Sequence, residues 1–322
     1  MVRRVGFVVF DDVTLLDVTG PAEAFTNVAR VLGGGAGEGY EVVHVSAGGR
    51  PVVASTGMTV AGTVAPDQVG PLDTLFVPGS EPLGVGVPDP AVVAVVGDLV
   101  DRARRVASVC TGAFVLAELG VLDGRRATTH WRQAGELARR YPAIRVESDT
   151  IHVRDGTFYT SAGITSGIDL ALALIEDDHG ADIARAVARE LVVFLHRPGG
   201  QAQFSPWHAT TGTDHPLLGP VMAGVLADPA SAHTVTTMAS AAGLSPRHLH
   251  RVFVDAVGST PARWLEGVRL DAACRHILQG RSITRSAQLS GFGSDETLRR
   301  AFARQLGTTP SEYRARFATA RD

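Results

Sequence analysis

Apolar residues follow two rhythms along this chain, and the change between them divides it. Up to about residue 195, short apolar runs alternate with longer segments of helical period. Residues 5–10, 42–46, 52–54, 75–77 and 106–109 have the length and β-branched content of strands, with the turn-like GGRP between the second and third. Helices are predicted over 21–32, 92–104 and 112–119. Asp155-Gly156, set between 153–154 and 158–160, is a hairpin signal, and two helices follow over 168–177 and 183–195. Such alternation predicts an α/β fold, an open and mostly parallel sheet with helices on both faces. Ligands of such sheets bind beyond the carboxyl ends of the strands.

From residue 216 the pattern is helical throughout, and one phrase occurs twice. SPRHLHRVFVDAVGSTPARW from Ser245 is echoed by SDETLRRAFARQLGTTPSEY from Ser294, and VTTMASAAG from Val235 by ITRSAQLSG from Ile283. A repeat of this length is one supersecondary unit used twice. In the first copy Gly243 suits a tight turn, Ser245 an N-cap and Pro246 a first helical position. Leu249, Val252, Phe253 and Val257 fall on one stripe, as do Leu298, Ala301, Phe302 and Leu306. That leaves Arg247, His250 and Arg251 pointing outward, and likewise Thr297, Arg299 and Arg300. Apolar side inward and basic side outward is the layout of a recognition helix, so an all-α domain with two helix-turn-helix motifs is expected. The plainer alternative is a helical hairpin with solvated arginines.

Composition bounds this picture and charge sharpens it. With 322 residues, 45% apolar and 20% charged, the chain is long enough for two globular domains. Its net charge of −3 argues by itself against nucleic acid. The charge is unevenly divided, however: residues 216–322 carry 13 arginines against 8 carboxylates, +5, which leaves −8 for the rest. Phosphate contacts are therefore expected in the second module alone. Every basic side chain is arginine, which fits the codon bias of a GC-rich genome. Cys110 and Cys274 lie in different domains and imply no disulfide framework. MVRRVGFVVF is too short an apolar stretch for a signal peptide or membrane span, so a cytoplasmic protein is expected. GGGAG at 33–37 lacks the strand-to-helix context of a dinucleotide loop, and no metal cluster or other cofactor motif is recognisable. No cofactor is expected.

One place in the first module carries chemistry. A strand running straight into Cys110-Thr111-Gly112 and then a helix has the shape of a nucleophile elbow. The turn would expose the sulfur, and the helix N-terminus would lower the thiol pKa. The backbone N–H groups of Thr111 and Gly79 are candidates for an oxyanion hole. The alternative is a cysteine serving as a small buried apolar residue.

Two resemblances add to this reading. FDDVTLLDVTGPAEAF, FVPGS, VASVCTGAFVLAELGVLDGRRATTHW and YTSAGITSGIDLALALIEDDHG resemble the ThiJ/PfpI family of the class I glutamine amidotransferase-like superfamily, over nearly all of residues 3–200. The resemblance implies a flavodoxin-like sheet and places Asp17 near Cys110. CTG is similar to the isonitrile-hydratase branch, which uses the cysteine, the threonine after it and the acid of LD. His130 stands where several members keep a histidine, or it is a hydrogen-bonded core residue. Thr111 stands where the protease branch has a histidine. The last third, with GLSPRHLHRVF, WLEGVRLDAACRHIL and GFGSDETLRRAFARQLGTTPSEYR, resembles the AraC/XylS-type DNA-binding domain. Carried over by position, the base-reading residues are Arg247, His250 and Arg251 in the first helix. In the second they are Asp295, Glu296, Thr297, Arg299 and Arg300; its two acids also suit a helix N-terminus. Both parts in this order resemble the GlxA-type branch of AraC regulators. The implied organisation is a sensing domain over 1–197, a linker over 198–215 and a DNA-binding domain over 216–322. Implied partners are promoter DNA, RNA polymerase, a small effector of the amino-acid or amine kind, and a second copy in a homodimer. A cysteine-dependent hydratase or amidase carrying a DNA-binding domain is the competing reading.

Overall fold

The computed structural model describes residues 2–34, 39–193, 195, 215–257 and 259–317. The chain divides into two compact units, Met1–Arg197 and Pro198–Asp322. The expected linker over 198–215 lies, apart from His215, outside the described residues, as does most of GGGAG.

The first unit opens with β1 (Arg3–Val8), α1 (Leu15–Val31) and β2 (Tyr40–Val45). A small pair, β3 (Val52–Val53) and β4 (Thr59–Val60), precedes β5 (Leu72–Val77), α2 (Glu81–Val85) and α3 (Pro90–Val100). Then come β6 (Ala103–Val109), α4 (Gly112–Glu118), β7 (Arg126–Ala127), α5 (Ala134–Arg140) and β8 (Arg145–Val146). The hairpin β9 (His152–Asp155) and β10 (Phe158–Ser161) leads into α6 (Ser166–His179) and α7 (Ala181–Glu190). Six strands form one sheet in the order β2-β1-β5-β6-β10-β9. All neighbours in it are parallel except β9 and β10. The sheet separates two apolar clusters. Phe7, Phe25, Phe76 and Leu170 lie in one; Val8, Leu75, Val96 and Phe114 lie in the other.

Several boundaries differ from those the pattern predicts. The helix expected to run on to residue 104 stops at Val100, because the next residues are drawn into the sheet: Ala103 pairs with Leu72, and Arg105, 2% exposed, is ion-paired with Asp73 and Asp178. The helix expected from Pro21 begins six residues earlier at Leu15, with Pro21 inside it. An internal proline removes a hydrogen bond and costs about 3 kcal/mol. Here that cost is offset by burying Asp17, Val18, Pro21 and Phe25 along one face. α7 ends at Glu190 and not at 195, and Val192 just beyond has a left-handed φ of 56°. The first strand ends at Val8 and not at 10, and β3, shortened to Val52–Val53, pairs antiparallel with β4.

The second unit is helical: α8 (Leu218–Ala227), α9 (Val235–Ala241), α10 (Pro246–Val257), α11 (Pro261–Leu278), α12 (Ile283–Leu289), α13 (Asp295–Leu306) and α14 (Pro310–Phe317). Each copy of the repeat builds its own core. Leu249 and Phe253 of α10 pack in one cluster, where Phe253 faces Trp264 at 5.5 Å between ring centroids. Leu298, Ala301, Phe302 and Leu306 of α13 pack in the other, where Phe302 faces Tyr313 at 5.6 Å. α11 contributes to both, with Trp264, Leu265 and Val268 in the first and Leu270, Ala273 and Ile277 in the second. No described helix is long and apolar enough to cross a membrane.

Candidate functional site

Three segments that are distant in sequence meet at the carboxyl end of β6. β6 delivers Cys110 into a turn with φ of 57°, a backbone conformation unfavourable for an L residue and characteristic of a strained elbow. The turn is held from both sides: the Cys110 N–H donates to Ser161 O at 3.2 Å, and Thr129 Oγ1 donates to Cys110 O at 2.7 Å. Two glycines make the close approach possible. A Cβ on Gly112 would lie 2.0 Å from the Val77 carbonyl oxygen, and one on Gly79 would lie 2.6 Å from the Thr111 nitrogen. Thr111 Oγ1 closes the turn by donating to Ser80 O at 2.6 Å and accepting from Ser80 N–H at 2.9 Å.

Asp17 reaches this turn from the first turn of α1 with its side chain fully buried. Its Oδ2 accepts the Gly79 N–H at 2.9 Å, while Oδ1 has no hydrogen-bond partner among the described residues. Burial pushes its pKa up to about 7, against the opposing pull of the Gly79 and Ile164 amides. Burial, reinforced by the nearby Asp17 charge, pushes the Cys110 thiol up to about 12, with the Thr111 and Ile164 amides acting the other way.

Three sequence expectations are thereby corrected. The turn does not expose the sulfur: Cys110 is buried, packed in the core on one side of the sheet. The thiol is not acidified by the helix beneath it, because desolvation outweighs the polar contacts that favour thiolate. The Gly79 N–H is not open to an oxyanion, because Asp17 already occupies it. His130 is half-buried, packed so closely that a Cβ on Gly163 would lie 2.3 Å from its Cδ2. Its pKa is lowered, by burial first and by Arg132 second, so it is held neutral. Thr129, Ser80 and Ile164 join the elbow without having been singled out from sequence. Thr129 lies beside His130 in TTHW, and Ile164 has its own left-handed φ of 55°. Among the described residues no group of three or more His, Cys, Asp or Glu could hold a metal ion.

In the second unit, the candidate residues lie on two helix faces. Ser245 Oγ accepts the His248 N–H at 3.3 Å and caps α10, and Ser294 Oγ accepts the Thr297 N–H at 3.2 Å and caps α13. Gly243 and Gly293, at φ of 67° and 75°, make the turns before them. Arg247, His250 and Arg251 are exposed on α10 and enter no ion pair among the described residues. α13 is different. Asp295 accepts from Thr284 Oγ1 at 2.9 Å, Glu296 pairs with Arg300 at 3.7 Å, and Thr297 is engaged with its cap serine. Arg299 is exposed. Further along, Arg304 and Gln305 both reach Glu266 of α11, which ties the helix to the connector.

Residues 3–177 match the DJ-1/PfpI family, and residues 238–316 match a helix-turn-helix domain. The chain is 33% identical to the HTH-type transcriptional regulator CdhR of Pseudomonas aeruginosa, over 84% of this chain and 81% of that protein. It is 29% identical to the HTH-type transcriptional regulator GlxA of Rhizobium meliloti, over 98% and 96%. The isonitrile hydratase of Pseudomonas putida is 36% identical but is matched over only 59% of this chain and 78% of its own length.

Proposed function

The chain belongs to the DJ-1/PfpI family, joined to a helix-turn-helix domain in a transcriptional regulator, and from that premise we propose how its two units divide the work. The first unit senses a small metabolite at the elbow formed by Asp17, Gly79, Cys110 and Thr111, with His130 beside Thr129, whose hydroxyl holds the Cys110 carbonyl. The second reads promoter DNA through Arg247, His250 and Arg251 of α10 and through Asp295, Glu296, Thr297, Arg299 and Arg300 of α13. The observation that carries the sensing half is the pairing of a carboxyl raised to about 7 with a thiol raised to about 12. Near neutral pH the thiol keeps its proton and the carboxyl is about half protonated. The pair offers a metabolite an S–H from Cys110 and, from Asp17, an O–H or a carboxylate acceptor according to its protonation, and recognition by such groups needs no turnover. A nucleophile needs thiolate, which this environment disfavours. A homodimer that presents two DNA-binding units to adjacent half-sites, and so to RNA polymerase, completes the reading.

The partial match to an isonitrile hydratase favours a second reading, in which Cys110 attacks and Asp17 transfers the proton. One set of measurements separates the two. In the full chain, Cys110→Ala should alter the response to metabolite in a promoter assay while leaving effector-free DNA binding within a few-fold. Isonitrile hydration or amide hydrolysis at about 1 per second or more, lost in Cys110→Ala, would instead establish an enzyme. Sedimentation of the purified chain checks the dimer.

A further inference from the structure

The two reading helices lie in separate cores: no apolar cluster of the described residues contains both α10 and α13. α11 runs through both cores, and polar contacts from its middle tie them together. Arg269 lies half-buried midway along it, between Val268 of the first core and Leu270 of the second. Its Nε donates to Pro229 O at 3.1 Å, and its Nη2 donates to Ser231 O at 3.0 Å and to His233 O at 3.1 Å. All three acceptors are backbone carbonyls of the loop that leads from α8 into α9. The guanidinium therefore fixes the path of that loop, with a planar fork that one ammonium does not reproduce.

The same loop meets the second copy of the repeat at Gly291, in the turn between α12 and α13. A Cβ there would lie 2.6 Å from Pro229 O and 2.8 Å from Arg269 Nε. Gly243 is the equivalent position of the first copy, with φ of 67° against 81° for Gly291. A Cβ on Gly243 would meet nothing within 4 Å. Both turns need the left-handed conformation that glycine allows, but only the second is closed against the other module. One turn back along α11, Glu266 accepts from Arg304 and, at 2.8 Å, from Gln305, near the end of α13. Arg269, Gly291 and Glu266 thus form a joint between the two modules.

We propose that Arg269 is a positioning residue that sets the distance and phase between α10 and α13, so that the chain reads the spacing of two DNA subsites as well as their bases. This rests on the reading that both helices enter DNA grooves. Arg269 acts through the two helices and makes no DNA contact of its own.

The test uses the full chain and a duplex that it selects from a pool of random sequences. Arg251→Ala and Arg299→Ala locate the two subsites as the positions whose base preference each relaxes. One base pair inserted between the subsites shifts one by about 3.4 Å and turns it by about 35° relative to the other. The native chain should lose at least about tenfold in affinity on that insertion, and Arg269→Gln less than about threefold. The ratio of the two affinities does not depend on the folded fraction, so a merely structural role for Arg269 would leave it at the native value. Gly291→Ala should lower the spacing penalty as well, and Gly243→Ala should keep it. The slope of log affinity against log salt should be the same in Arg269→Gln as in the native chain. A spacing penalty undiminished in Arg269→Gln would overturn the joint. So would a native chain that tolerates the insertion, or a salt slope reduced by about 1 in Arg269→Gln, which would make it a phosphate contact. A native chain that selects no duplex would instead overturn the assignment of α10 and α13 on which the joint rests. Should Arg269→Gln fail to fold, Glu266→Gln, in an ion pair partly open to solvent, decides by the same ratio. A smaller penalty in it sustains the joint, and an unchanged one overturns it.

Discussion

At the elbow of the first unit the polar chemistry is inside the protein; on α10 of the second it is outside. Asp17 is wholly buried and Cys110 is 9% exposed on a left-handed backbone, with its neighbours pressed against it. Arg247, His250 and Arg251 project from a regular capped helix into solvent. Desolvation at the elbow raises both pKa values, so near neutrality the thiol keeps its proton and the carboxyl is only about half ionised. The helix face keeps full charges available at the surface. A buried, desolvated site discriminates by shape and hydrogen bonding, whereas an exposed cationic one draws in a polyanion from a distance. The two sites should therefore respond oppositely to perturbation: the elbow through stability, the helices through binding.

The largest test of this contrast is Gly112→Ala. The added methyl would lie 2.0 Å from the Val77 carbonyl oxygen, a backbone atom with no rotamer to yield. We expect a loss of more than about 4 kcal/mol in a denaturant melt, or failure to fold. Alanine at Arg247 should move the same melt by less than about 0.5 kcal/mol. A well-tolerated Gly112→Ala would mean that the elbow is far looser than its hydrogen bonds imply.

The next effect is on pH dependence. Asp17 titrates near 3.8 in the unfolded chain and at about 7 in the folded one. The folded state thus holds the proton more tightly. Its contribution is fully present below about pH 4 and is lost as the pH rises through about 7. The difference is on the order of 4 kcal/mol across that window. Asp17→Asn should flatten the stability profile between pH 4 and 7 relative to the native chain. An identical slope in both would show that the Asp17 carboxyl is not protonated in the folded state.

Smaller still is the effect at the exposed face. Arg251→Ala should cost on the order of 1–3 kcal/mol of promoter affinity and relax the preference for one base, since arginine suits the O6 and N7 atoms of guanine. Competition binding with a set of single-base operator variants reads this directly. Equal loss on every variant would make Arg251 a phosphate contact instead.

What the sequence disclosed and what it withheld follow the same division. The repeat, its caps and its buried stripe were legible because each depends on residues within a turn or two of one another. So was the hairpin at Asp155-Gly156, where Gly156 takes a φ of 63°. The boundary between α3 and β6 was not, since the run from Val92 to Val106 has no proline and its only glycine, Gly97, does not break it. The break is set by Leu72, Asp73 and Asp178, far away in the chain. The elbow's shape could be read from CTG, but its electrostatics could not. The thiol's environment is built by α1 and by the loop carrying Ile164, and the commitment of Gly79 to Asp17 joins residues 62 apart. The joint at Arg269 brings together three separate segments, and nothing in the repeat marks Gly291 as the closed glycine and Gly243 as the open one.

The comparison also runs within the second unit, where it predicts a small and diagnostic effect at Glu296. α10 opens with cations that are unpaired among the described residues, while α13 opens with Asp295 and Glu296, the first hydrogen-bonded by Thr284 and the second ion-paired with Arg300. That exposed pair contributes little to stability, so Glu296→Gln should change the melt by less than about 0.5 kcal/mol. Its consequence for binding depends on what Glu296 does. If it only offsets Arg300 and complements the helix N-terminus, the glutamine variant releases Arg300 to a phosphate. Affinity should then rise a few-fold on every site, and the dependence of log affinity on log salt should steepen by up to about 1. If Glu296 accepts a hydrogen bond from cytosine N4, affinity should fall, and only on operators with cytosine at that position, with the salt slope unchanged. A uniform rise would make α10 the main reader of sequence and α13 largely an anchor. A cytosine-specific fall would give both copies of the repeat a share in recognition by opposite chemistry, arginine to guanine in one and carboxylate to cytosine in the other.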